Sequence, residues 1–189
     1  MNAPPASSDS LLSRRGLLKT GVVGATLLAV GGPLFLLSRS GRSPRGARHA
    51  LLALTPYEHE IFSTAAARLV PGDGALDWPS AEALEVAGKV DALIARLHPR
   101  AIKELRQLLH VFESALTGLV SIGAPRTFTR SSPEEQDRRL DAWRRSRVAL
   151  FRSGYQAMKR LSHAIYYSSP ETYARVGYPG PPAVAEVPV

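Results

Sequence analysis

The sequence predicts an all-α fold, a single bundle-like domain of about five helices with an N-terminal signal helix before it and an extended Pro-rich tail after it. Three observations predict it. Apolar residues recur at three- and four-residue spacing through most of the stretch from Leu54 to Tyr167, the period of a helix with one face turned to a core. Two cap signatures, Thr55-Pro56-Tyr57-Glu58 and Ser132-Pro133-Glu134-Glu135, set a hydroxyl, a proline and a glutamate in the order that starts a helix. No alternating run of β-branched residues occurs anywhere, and such alternation is what a half-buried strand requires.

The leader comes first. Ser13-Arg14-Arg15-Gly16-Leu17-Leu18-Lys19 resembles the twin-arginine signal that exports proteins already folded. The uncharged, apolar run Thr20 to Leu37 follows it, and a basic segment before a short apolar one is signal-peptide architecture. That run is near the lower margin for a spanning helix and contains Gly31, Gly32 and Pro33. Ser38-Arg39-Ser40 is a poor cleavage site, so release and retention as an anchor both stay open. Residues 1–40 are therefore read as signal or anchor, 41–53 as a Gly-, Ser- and Arg-rich tether, 54–182 as the helical domain and 183–189 as a flexible tail.

Behind the Thr55 cap, Ile61, Phe62, Ala65, Ala66 and Leu69 form the first stripe, which Pro71-Gly72-Asp73-Gly74 ends. Ser80 is expected to cap a short helix through Val86, with Gly88 interrupting it before Val90, Leu93, Ile94 and Leu97. The next helix is expected to run unbroken from Ile102 through Leu105, Leu108, Leu109, Phe112, Leu116, Leu119 and Val120 to the stop at Gly123 and Pro125. After Ser132, one long face from Leu140 through Trp143, Val148, Phe151, Tyr155, Met158, Leu161 and Ile165 reaches Tyr167, with a bend expected at Gly154. Ser169-Pro170-Glu171 starts a last turn, and beyond Gly177 the chain is expected to be extended.

The formal charge of the 189-residue chain, +8, overstates the basicity of the domain. From Ala47 onward 18 Lys plus Arg face 15 Asp plus Glu, a net of +3, because the excess sits in the leader and at Arg42 and Arg45. The arginines at 138, 139, 144, 145, 147 and 152 are interleaved with Glu134, Glu135, Asp137 and Asp141, which reads as a solvated helix face and not as a nucleic-acid patch. Cysteine is absent, which excludes disulfides, thiolate metal sites and covalent haem attachment in this chain. The five histidines show no metal spacing. No glycine elbow surrounds Ser114 or Ser121, and no dinucleotide fingerprint follows a strand. Asp73 and Asp77 stand where turns and caps want aspartate, and with Asp91 they make only a weak carboxylate group. No catalytic, cofactor or metal residue is expected here. An export route for folded cargo combined with no cofactor site points to cargo that travels with a partner.

At this point several segments carry a family likeness. Leu54-Thr55-Pro56-Tyr57-Glu58 and Arg68-Leu69-Val70-Pro71-Gly72-Asp73 resemble the opening of the small subunit of gluconate 2-dehydrogenase-type complexes. Asp141-Ala142-Trp143-Arg144 to Arg147, Gly154-Tyr155-Gln156-Ala157-Met158-Lys159, Tyr166-Tyr167-Ser168-Ser169-Pro170 and the ending Val176-Gly177-Tyr178-Pro179-Gly180-Pro181-Pro182 are similar to its second half. The resemblance implies a non-catalytic subunit. In such complexes a large FAD-dependent flavoprotein of the glucose–methanol–choline type oxidises a sugar, sugar acid or polyol and passes electrons to a c-type cytochrome subunit or another acceptor. The small subunit carries the twin-arginine signal, helps the flavoprotein mature and takes it through the translocase into the periplasm.

The partner surface is expected at Trp143, Arg144, Arg147, Tyr155, Tyr166, Tyr167 and Tyr178, since aromatic and Arg side chains supply much of the energy at interface centres. Packing of the same tyrosines into the domain's own core is the competing reading, and for Arg147 a side chain snorkelling past the tryptophan. The alternative function is a membrane-tethered helical binding module unrelated to redox.

Overall fold

The computed structural model describes residues 50–72 and 77–182. The export-signal residues Ser13, Arg14, Arg15, Leu17, Leu18 and Lys19, the apolar run and the 183–189 tail lie outside the described residues. Among those described there are seven α-helices and no strand. They are α1 (Pro56–Leu69), α2 (Val86–Ile94), α3 (Pro99–Glu113), α4 (Ala115–Ile122), α5 (Pro133–Arg145), α6 (Ala149–Tyr167) and α7 (Pro170–Tyr173). One-turn 3₁₀ segments stand at Phe128–Arg130 and Ala174–Val176.

The two cap signatures form as their sequences dictate. Thr55 Oγ1 accepts from the Glu58 backbone N–H while Glu58 accepts in return from the Thr55 N–H, and Ser132 and Glu135 repeat the exchange at α5. Glu58 is buried, and it also binds Arg106 and His110 of α3 at 2.9 Å. Burial raises its proton affinity, but the bonds from His110, Thr55 and Arg106 outweigh that and hold its pKa at about 2. One carboxylate thus starts α1 and ties it to α3.

Three expected boundaries move, each for a local reason. Ser80 caps only a run of turns, its hydroxyl accepting from the Ala83 N–H at 3.0 Å, and the helix starts at Val86 after Glu85 takes a left-handed φ of 51°. Gly88 does not interrupt it. The expected unbroken helix through Val120 divides at Ser114, whose ψ of 142° ends α3 while its hydroxyl accepts from the Thr117 N–H to begin α4. The long second-half helix divides at Ser146–Val148 and not at Gly154. Gly154 is instead buried in mid-helix, where an added Cβ would lie 2.5 Å from Leu108 Cδ1 and 2.9 Å from Trp143 Cζ3.

The core is aromatic at its centre. Phe112 and Phe128 meet at 4.4 Å between ring centroids, Trp143 stands edge-on to Phe112 at 4.7 Å, and Phe151 stacks on Trp143 at 4.6 Å. Beside it Arg139 of α5 is fully buried and donates to the carbonyls of Phe112 (3.0 Å) and Arg126 (2.6 Å). Burial lowers its pKa to about 10, still high enough to keep the guanidinium charged at neutral pH. The buried Glu113 accepts from Thr129 N–H and Oγ1 and from the Tyr57 hydroxyl.

The chain is already anchored ahead of residue 54. Asp91 of α2, buried, accepts from three successive backbone N–H groups, those of Leu52 (2.6 Å), Ala53 (3.0 Å) and Leu54 (2.7 Å). That is the role of the aspartate which sequence alone left in a loose acidic trio.

Candidate partner interface

The seven residues expected at a partner surface separate into two groups. Trp143 and Tyr166 have no exposure and Tyr155 has 9%. These three are corrected to core positions: Trp143 is enclosed by Phe112 and Phe151, and Tyr166 donates from its hydroxyl to Pro79 O at 2.8 Å with Trp78 stacked beside it. A buried indole or phenol of this kind contributes to stability before it can contribute to recognition. Arg144, Arg147, Tyr167 and Tyr178 reach the surface in varying degree.

Arg144 and the edge of Tyr155 share one shallow depression of about 230 Å³ where α1, α5 and α6 meet, with Arg68, Lys159 and His163 on its walls. Its acids are committed. Asp137 takes both Arg68 Nε (2.9 Å) and Nη2 (2.5 Å), and Asp141 takes Arg144 and Arg145. His163 holds α1 to α6 through Leu69 O at 2.8 Å, and Tyr167 stands edge-on to it at 5.4 Å. Arg68, Lys159 and His163 were missed in the sequence because each sits on a polar helix face that resembles any solvated one.

Arg147 occupies the exposed corner between α5 and α6, next to exposed Val148 and Leu150. The helix that the sequence predicts through Arg147 is broken there. Tyr178 is 44% exposed and edge-on to Tyr173 at 5.0 Å, held by its own backbone N–H on Tyr173 O. Gly177, at φ 67°, turns the chain back for this contact. Tyr178 is thus strapped to α7.

Among the described residues no cluster of three or more His, Cys, Asp or Glu side chains is gathered where a metal could sit. A wider groove of about 660 Å³ runs between α1 and α2, from Ala50 to Gln136. His59 at its edge is shifted toward its neutral form, by burial first and against the pull of Asp91.

The sequence model of a family described as gluconate 2-dehydrogenase subunit 3 matches residues 56–180. This chain belongs to that family. Among curated proteins and solved structures none is significantly similar to it. The match begins at the first residue of α1 and ends within the turn that carries Tyr178, so every helix described above belongs to the subunit 3 domain. A gluconate 2-dehydrogenase subunit 3 is by its description one component of a multi-subunit dehydrogenase, and the surface of this domain is accordingly where contacts to other subunits are to be sought.

Proposed function

We propose that this chain is the non-catalytic small subunit of a periplasmic FAD-dependent dehydrogenase of the glucose–methanol–choline type, acting on a sugar, sugar acid or polyol. The FAD belongs to the large subunit, and a haem c to a cytochrome subunit where one is present. The small subunit assists maturation of the flavoprotein and carries, in Ser13, Arg14, Arg15, Leu17, Leu18 and Lys19, the export address that both use. Membership of a family named for one subunit of a dehydrogenase is the observation that carries this reading. The leader supports it, because the twin-arginine route moves proteins already folded and so permits an assembled pair to cross.

Arg144, Arg147, Tyr167 and Tyr178 remain as interface candidates, being the expected residues that reach the surface. Replacing Arg14→Lys together with Arg15→Lys should leave both this chain and the flavoprotein in the cytoplasm, read by fractionation and by flavin absorbance of each fraction. Continued export of the flavoprotein without this chain would overturn the escort role.

A further inference from the structure

Helix α4 is turned inside out. Its inward residues are Thr117 and Gly118, both buried, while Leu116, Leu119 and Val120 face outward with exposures of 42%, 48% and 70%. A two-turn helix normally turns its large apolar side chains to the core. The orientation here is imposed by Arg139. An added Cβ at Gly118 would fall 1.8 Å from Arg139 Nη2 and 2.6 Å from the carbonyls of Ala124 and Arg126. Only glycine fits against the buried guanidinium. Each step of one residue rotates a helix by about 100°, so bringing Leu119 inward would drive a side chain into that charge. Thr117 fixes the same face, its hydroxyl bonded to Val111 O at 2.7 Å.

We propose that the outward face of α4 is the apolar centre of the contact with the large flavoprotein subunit. This rests on the reading of the chain as a dehydrogenase small subunit. The chemistry of the face selects the occupant. From Ala115 to Pro125 there is no charged residue, and depletion of charge marks the dry centre of a protein interface. A helix lying on a lipid surface keeps a cationic polar face toward the headgroups, whereas the polar side of α4 is packed against Arg139. A stable dimer needs about 800 Å² from each partner. Eight residues give a helix of about 12 Å, so α4 alone supplies only part of that area whichever partner seats on it. The family is described as one subunit of a dehydrogenase, which favours another subunit over a second copy as the occupant, with α4 at the centre of a larger contact.

The test is the full-length chain co-expressed with a large FAD-dependent dehydrogenase subunit from the same genome, as wild type and as Leu119→Glu/Val120→Glu. The double variant should keep its helicity and melting temperature alone, and retain the flavoprotein about tenfold less or weaker. Should it fail to fold, Val120→Glu, at the most exposed of the three sites, carries the same comparison. Equal retention by wild type and variant would overturn the assignment to α4 and leave the escort reading standing. No retention by wild type would overturn both. Two further arms name other occupants. A wild-type dimer that becomes monomeric in the variant would give the face to a second copy. Flotation with phosphatidylglycerol vesicles that is lost in the variant would give it to lipid. Either result would overturn the proposal.

Discussion

Trp143→Ala is expected to unfold this domain before it weakens any contact with a partner. The indole has no exposure and lies between Phe112, edge-on at 4.7 Å, and Phe151, stacked at 4.6 Å. Truncating a buried aromatic to alanine removes its transfer free energy and leaves a cavity, together about 3–5 kcal/mol. Near the melting point a domain gains about 2.1 cal/mol/K of entropy per residue, so roughly 130 ordered residues gain about 0.27 kcal/mol/K. The melting temperature should therefore fall by about 11–18 °C. Since whole domains hold only about 5–15 kcal/mol, the variant would be marginal at 37 °C. Circular dichroism melts and urea titrations of the isolated chain read this directly. A loss below about 1 kcal/mol, accompanied by failure to retain the flavoprotein, would refute the reasoning and return Trp143 to the surface.

Three other perturbations follow from the same geometry. Gly154→Ala should cost about 1–3 kcal/mol, because the new methyl must displace Leu108 and Trp143 in a packed seam; a melt unchanged within error would show that the seam is loose. Glu58, held at about 2 in the fold against 4.5 unperturbed, binds its proton more weakly folded than unfolded. Its contribution, at most about 3 kcal/mol, is therefore complete above about pH 4.5 and drains away as the pH falls toward 2, and Glu58→Gln should flatten that part of an acid titration of stability. Burial pushes Glu113 the other way, so its contribution is lost as the pH rises above its ordinary value, and it cannot account for an acid-side decline. Asp91→Ala should speed hydrogen exchange at Leu52, Ala53 and Leu54, which lose their shared acceptor, and slow exchange there in the variant would mean that another group holds them.

Much of the fold was legible because its signals are local. Thr55 with Glu58 and Ser132 with Glu135 are complete cap sets within four residues of sequence, and both form. The breaks at Ser114 and Ser146 were not legible. Apolar spacing runs straight through each, and a serine reads as a neutral helix-surface residue until its hydroxyl is seen capping the next helix, as at Ser114, or taking the Val148 N–H in the connecting turn, as at Ser146. The outward turn of α4 was hidden for a deeper reason. It depends on Arg139, more than a dozen residues away, and periodicity within α4 gives the right stripe on the wrong side. Which aromatic residues reach the surface was only partly legible, for a reason of composition. Aromatic residues crowd both interface centres and domain cores, so Trp143 and Tyr167 look alike in sequence and differ only once the helices are packed.

The Asp91 anchor also decides how the domain meets tension. A pull on the chain ahead of Leu52 reaches three hydrogen bonds on a single carboxylate before it reaches the first turn of α1. Those bonds come from consecutive residues to one acceptor group, so they share the load and must give way nearly together, unlike a helix end that peels one turn at a time. The force is passed to the middle of α2, which packs against α1 and α6, and so is spread into the core. Forced unfolding tracks the unfolding rate, and under this pull the clamp carries the load first, while the capping box at Thr55 stays slack behind it.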